Sequence, residues 1–147
     1  MSWLRTEPAD VADELEKVYA QLRGLSHLLE RQADRAPYPF ITERLEALGA
    51  GEEECARAVA ERLARLGRHA EDGEAQPDVR GRNCWERLVR LQDAYRELLR
   101  QLKVLVVRWE DEHPEESQLL TVVRDRAAAN RAVVGDLLAR SDPHALD

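Results

Sequence analysis

Apolar residues recur along the chain at steps of three and four, in four stretches that proline- or glycine-containing segments separate. This spacing places the apolar side chains on one face of an α-helix. The first stretch repeats through Val11, Leu15, Val18, Leu22, Leu25 and Leu29. The pattern predicts helices over residues 8–36, 39–68, 83–113 and 115–140, with a loop over 69–82.

Capping residues and prolines set the expected helix ends. Thr6 is suited to cap the first helix, and Pro37 interrupts the chain before the second. Asn83 and Glu86 have the spacing of a capping box at the start of the third helix. Pro114 suits the first turn of the fourth helix.

The predicted fold is all-α, a single four-helix bundle that spans residues 1–147. The first and last connections are short, which makes helices one and two, and helices three and four, antiparallel hairpins. The middle loop of about a dozen residues can reach about 40 Å when extended, roughly one helix length. Both a simple up-down chain and a lengthwise crossover therefore remain open.

A few polar residues interrupt the apolar stripes. Glu52 occupies a central stripe position directly after Gly49 and Gly51, and we expect a continuous helix there with a local distortion. Folding the first hairpin predicts that Glu52 is partly buried and satisfied by Ser26, His27 or an arginine. Gln92 and Asn130 are the polar members of the third and fourth stripes.

Composition narrows the function. Apolar residues make up 44% and charged residues 35% of the 147 residues, which is typical of a folded helical protein. The net charge of -7 disfavours nucleic acid and anionic membranes as partners. No apolar run is long enough for a membrane span, and the N-terminus lacks a signal-peptide pattern. Cys55 and Cys84 are expected to be reduced core residues, and the predicted location is cytoplasmic.

Three segments carry a resemblance to a known family: FITERL at 40–45, VAERLARLG at 59–67 and DEHPEE at 111–116. With the four-helix layout, they make the chain, from about residue 10 to 140, similar to the ferritin-like superfamily of mini-ferritins and small rubrerythrin-like proteins. The resemblance implies a ferritin-like bundle in which Glu61 is an iron ligand. Glu30 and Glu46 stand at the other ligand-like spacings, and Glu52 is the carboxylate of the central seam.

The chain also departs from that family. Di-iron bundles use inward glutamates and two Glu-x-x-His motifs, whereas here only Glu110 and His113 have that spacing, at the end of the third helix. Glu30 and Thr42 stand where mini-ferritins have histidines. The metal ligands are thus largely absent, and the primary prediction includes no cofactor.

We therefore expect a non-catalytic ferritin-like bundle that acts through protein contacts and forms a homo-oligomer. No nucleophile motif and no glycine-rich phosphate loop favours an enzyme. The candidate interface anchors are Trp3, Trp85, Trp109, Tyr19 and Tyr38, most of which fit the core equally well. One alternative is a divergent iron- or manganese-binding protein, an oxidase or store, with Glu30, Glu46, Glu52 and Glu61 as ligands. Another is a helical export chaperone.

Overall fold

The computed structural model describes residues 8–71 and 81–141, which form four α-helices. These are α1 (Pro8–Arg35), α2 (Pro39–Arg65), α3 (Cys84–Trp109) and α4 (Pro114–Arg140). The prediction of an all-α fold is confirmed. Within the described ranges, no helix has the length and apolar character needed to cross a membrane. The expected cap at Thr6 lies outside the described residues.

Two helices end earlier than their apolar patterns predict. α2 ends at Arg65 instead of residue 68, because Gly67 adopts a φ of 80° and closes the helix. The amides of Gly67 and Arg68 donate to the carbonyls of Ala64 and Leu63, which is the Schellman arrangement. α3 ends at residue 109 instead of 113. Pro114 disfavours the helical conformation in the residue before it, His113, so the chain leaves the helix before His113.

The start of α3 carries the predicted cap in modified form. The Asn83 side chain accepts a hydrogen bond of 2.9 Å from the Glu86 amide, as a capping box requires. The Glu86 carboxylate reaches one residue further back than expected, where it accepts a 2.7 Å bond from the Arg82 amide. Two backbone amides at this end of the helix are thereby satisfied.

The continuity of α2 through its two glycines is confirmed. At Gly49, α2 runs beside α1 with room for a methyl group. A Cβ atom added there would lie 3.5 Å from the Leu29 Cβ and 3.6 Å from the Ser26 carbonyl oxygen. The Ser26 hydroxyl donates to the Gly49 carbonyl at 3.2 Å, which ties the two helices of the first hairpin together.

Contacts between α2 and α4 decide the chain topology. Arg62, near the end of α2, binds Glu116 at the start of α4, with Nη2 3.0 Å from Oε1. Glu52, in the middle of α2, meets Asn130 in the second half of α4. Moving back along α2 thus means moving forward along α4, so the two helices are antiparallel.

The third helix is also antiparallel to α4, because the two form a hairpin in which Ser117 donates to the Val106 carbonyl at 2.7 Å. Two helices that are both antiparallel to α4 are parallel to each other. α2 and α3 are therefore parallel, and the connection between them must return along about 40 Å of bundle. Of the two topologies left open, the lengthwise crossover is the one that forms.

Each helix packs on two others, with α1 against α2 and α3, and α4 against α2 and α3. α2 and α3 are diagonal partners across the centre. The core is filled by the predicted apolar stripes, and its largest fully buried aromatic residues are Tyr95 and Trp109. Its fully buried leucines are Leu15, Leu22, Leu25, Leu29, Leu45, Leu63, Leu91, Leu102, Leu120 and Leu137.

Candidate functional site

The four glutamates predicted as metal ligands lie in three separate places. Glu52 is buried in the core with 1% of its surface exposed, whereas Glu30, Glu46 and Glu61 are exposed. Glu30 and Glu46 line one small surface depression of about 250 Å³ between α1 and α2, together with Glu53. The structure thus brings two of the four candidates together and separates them from the others.

Glu61 lies toward the opposite end of α2, beside Arg62 and Glu115 in a second depression. Arg62 bridges to the Glu115 carboxylate at 2.7 Å, so a cation of the protein already pairs with one of these two acids. Across residues 8–71 and 81–141, no three histidine, cysteine, aspartate or glutamate side chains converge in a way that could hold a metal ion.

The buried Glu52 carboxylate is the centre of a polar cluster in the apolar core. Its Oε1 atom accepts a hydrogen bond from the Tyr95 hydroxyl at 3.1 Å and another from the Asn130 side-chain amide. These partners come from α3 and α4, so three helices meet at one oxygen atom. Tyr95 reaches it from α3, diagonally across the centre of the bundle.

Burial controls the electrostatics of this cluster. Desolvation raises the pKa of Glu52, and the bonds from Asn130 and Tyr95 and the charge of Arg126 oppose this shift without cancelling it. Burial, with the nearby Glu52 carboxylate, also raises the pKa of the Cys55 thiol to about 11 and raises the pKa of Tyr95. Cys55 is therefore a protonated thiol at neutral pH, a poor nucleophile.

Of the partners expected for Glu52, Ser26 and His27 were wrong, while an arginine, Arg126, does act on it through its charge. Ser26 bonds instead to the Gly49 carbonyl, and His27 lies on the exposed side of α1 within 3.3 Å of Arg23. The expectation considered only the first hairpin, while the crossover brings α3 and α4 to the other side of Glu52. The available signal was that Asn130 and Tyr95 occupy stripe positions of their own helices near mid-length.

The Glu110 and His113 pair follows the end of α3. Glu110 begins a turn after Trp109, and the His113 amide donates to the Trp109 carbonyl at 2.9 Å. His113 is the residue before α4, and its carbonyl accepts from the Ser117 amide at 3.0 Å. The two residues are therefore outside the middle of the bundle, as their sequence position indicates.

The predicted interface anchors divide by burial. Trp109 is fully buried, so its prediction as a contact residue was wrong. Tyr19 and Trp85 are partly buried, and Trp3 lies outside the described residues. Tyr38 is 49% exposed, at the turn between α1 and α2.

The sequence-based list missed Phe40, which is 39% exposed and stacks on Tyr38. The ring centroids are 5.8 Å apart and the planes differ by 12°. The two rings form an exposed aromatic pair at one end of the bundle.

Comparison with known proteins supports the fold. No protein-family model matches the chain, and no curated protein matches its sequence. Among solved structures, a point mutant of Mycobacterium smegmatis Dps1 superposes with a TM-score of 0.79 at 20% identity, covering 89% of this chain and 96% of that one. A C-terminal deletion mutant of Mycobacterium smegmatis Dps gives 0.78 at 19% identity, covering 87% and 97%. The predicted ferritin-like four-helix fold is confirmed.

Proposed function

We propose that this chain is a non-catalytic ferritin-like bundle that works through self-association, with the α1–α2 end as its contact surface. The observation that carries the proposal is the exposed stack of Tyr38 and Phe40. Aromatic residues make up only 5% of the chain. Two of them lie together in solvent while Tyr95 and Trp109 fill the core.

The local backbone favours a contact role for this pair. Pro37 and Pro39 flank Tyr38, and proline fixes its own φ and restricts the residue before it. The backbone that carries the rings is thereby restricted before a partner arrives, which lowers the entropy lost on binding. Exposed aromatic side chains of this kind are enriched among the residues that dominate interface energies.

Charges beside the aromatic pair also suit a second copy of the chain. Asp34 and Arg35 are exposed in the last turn of α1, and Glu43 and Arg44 are exposed in the second turn of α2. Each helix thus presents one acid and one base next to the rings. A two-fold axis through this end can bring acids of one copy opposite bases of the other.

The burial and hydrogen bonding of Glu52 support a non-catalytic role. A carboxylate that acts on a substrate or binds a metal must present an oxygen to it. Glu52 is 1% exposed, and Oε1 is already bonded to Tyr95 and Asn130. The cluster fastens α2, α3 and α4 together.

The test is the mass of the assembly in solution, measured by light scattering after gel filtration or by sedimentation. We expect a mass that is a multiple of the 16.8 kDa chain. The double variant Tyr38→Ser/Phe40→Ser should lower that mass while leaving the helical circular dichroism unchanged. The matched control is Val107→Ser, because Val107 is 70% exposed on the outer side of α3.

A monomeric wild-type chain would overturn the proposal. It would equally fail if the aromatic double variant assembled like the wild type, or if Val107→Ser reduced the mass as much. Partial dissociation confined to the aromatic variant would support the α1–α2 end as the contact.

One observation favours a second candidate, a divergent iron- or manganese-binding protein. Glu30 and Glu46, two of the predicted ligands, line the same depression, and carboxylate oxygens are suited to manganese. Glu53 in that depression is paired with Arg23 at 2.7 Å, so no third ligand joins them among the described residues. Metal analysis of the purified protein, with calorimetric titration of Mn²⁺, tests this function. Glu30→Gln/Glu46→Gln should abolish binding and the control Glu43→Gln should not; no metal uptake by the wild type would rule it out.

A further inference from the structure

A groove of about 520 Å³ lies between α1 and the C-terminal half of α3, away from both the polar cluster around Glu52 and the aromatic pair. It exists because α1 packs mainly against α2 and α3 mainly against α4, which leaves the α1–α3 face open. Its volume is in the range of sites that take small molecules.

The floor of the groove is apolar. Val18 of α1 and Leu105 of α3 are buried core residues that reach its base, and Ala20 and Val104 extend the apolar lining. Val104 is 47% exposed and continues the apolar floor toward solvent.

The rim of the groove is cationic. It carries Lys17, Arg100 and Arg108 against one carboxylate, Glu14, although the chain as a whole has a net charge of -7. Glu14 is paired with Lys17 at 3.4 Å. Arg108 forms no ion pair with any side chain in the described ranges, so its charge faces the groove mouth uncompensated.

Arg100 is held from outside the groove by Glu97, with Nη2 2.5 Å from Oε1. Because α1 and α3 are antiparallel, Arg108 and Glu14 lie at one end and Gln21 and Gln101 at the other. The eight residues from Glu14 to Gln21 span about 10 Å of helix. The free cation is therefore at one end of an apolar channel of about that length.

We infer that this groove binds an amphipathic carboxylate, with its anionic head at Arg108 and an alkyl chain along Val18, Val104 and Leu105. The apolar floor takes up the chain, and the positive rim selects an anion against a cation. The site is independent of the proposed self-association, which uses the other end of α1.

The experiment compares decanoate with decyltrimethylammonium, which have the same chain and opposite head charge, by calorimetry or by chemical-shift perturbation of the labelled protein. Both are used below their micelle concentrations, at a pH where decanoate is ionised. We expect decanoate to bind in the millimolar range or tighter, and the cation roughly tenfold more weakly, since exposed charge pairs contribute modestly. Added salt should reduce the difference.

Paired variants locate the site. Val104→Glu places a carboxylate in the groove and should abolish decanoate binding. Val107→Glu makes the same change on the same helix outside the groove and should leave binding unchanged. Arg108→Gln should weaken decanoate binding roughly threefold, while Arg96→Gln, which lies outside the groove, should not.

The inference is overturned if the two amphiphiles bind equally, if neither binds in the millimolar range, or if Val104→Glu and Val107→Glu behave alike. It is also overturned if Val104→Glu dissociates an assembly and the wild type binds no decanoate, because a second copy of the chain would then cover the groove. Circular dichroism of each variant confirms that the bundle is folded.

Discussion

Replacement of Glu52 by glutamine is expected to stabilise the protein at neutral and alkaline pH and to have little effect in acid. Glutamine has nearly the same shape, and its side-chain oxygen can accept the hydrogen bonds from Tyr95 and Asn130. It removes the buried negative charge. Because desolvation raises the pKa of Glu52, the folded state disfavours the charged form.

The magnitude follows from two opposing terms. A hydrogen bond to a charged group contributes about 1.5–3 kcal/mol and a neutral one about 0.5–1.5 kcal/mol, so exchanging two of them costs about 2–3 kcal/mol. Desolvating a buried carboxylate costs several kcal/mol. The raised pKa means that the second term is larger. We expect a net gain on the order of 1 kcal/mol and a rise in Tm of roughly 3 °C.

The pH dependence has a definite sign. Well below the ordinary glutamate pKa of 4.5, Glu52 is protonated in both the folded and the unfolded state. As pH rises from there through the higher folded-state pKa, the unfolded state has already lost its proton, so the wild type loses stability over that interval. Glutamine removes this loss. The gap between variant and wild type should therefore open with rising pH and then level off.

Urea unfolding, followed by tryptophan fluorescence across a pH series, measures this gap directly. Glu46→Gln is the control, because Glu46 is exposed on the same helix. The difference in unfolding free energy between this variant and the wild type should stay near zero at every pH. The reasoning is refuted if Glu52→Gln is less stable than the wild type at alkaline pH by a margin that grows with pH. That result would mean that the fold prefers the charged carboxylate, through Arg126 or a bound cation.

Three further predictions test local features of the structure. Gly49→Ala should stabilise the protein by about 0.5–1 kcal/mol, since the added Cβ would make only ordinary contacts inside a helix. Gly67→Ala should destabilise it by about 1 kcal/mol, because φ is positive at Gly67. Chemical unfolding measures both changes. Asn83→Ala should cost about 1 kcal/mol through loss of the α3 cap, and Asn83→Ser should restore most of it in the same assay. Cys55, with its pKa raised to about 11, should react with a thiol reagent only in denaturant, so rapid labelling of native protein at pH 8 would contradict its burial.

The fold could be predicted from the sequence because the residues that determine it act locally. The three-four spacing of apolar residues, the prolines near residues 37 and 114, and the Asn83 cap each specify structure within one or two helical turns. The helix ends were less accessible. Gly67 closes α2 through a conformation that depends on two hydrogen bonds, and the apolar phase alone continues past it to Arg68.

The crossover between α2 and α3 could not be predicted in the same way. The loop of about a dozen residues was long enough for either topology, so the direction of α3 depended on contacts between residues far apart in the chain. Ser26 and His27 were the wrong partners for Glu52 for this reason. Only a parallel arrangement of α2 and α3 allowed the bonds from Tyr95 and Asn130 to be anticipated together.

The surface features were accessible in part. Tyr38 was expected as a contact residue, but the stack with Phe40 depends on the geometry of a tight turn between two helices. Glu30 and Glu46 were expected as ligands together with Glu52 and Glu61. Their separation from Glu52 follows from the helical phase, because Glu52 faces the core and they face solvent. Trp109 shows the limit, since a tryptophan in an apolar stripe fits both a core and an interface.

The Glu52 cluster fixes how far each helix is shifted along its neighbours, which leucines alone do not. Apolar stripes tolerate a shift of one helix along another, because one leucine replaces the next. A shift of one heptad, about 10 Å, would remove Tyr95 and Asn130 from the carboxylate and leave a buried charge without donors. That cost of several kcal/mol applies to wrong registers of α2, α3 and α4 at the same time. A residue that lowers stability at neutral pH can thus be the one that makes the register unique.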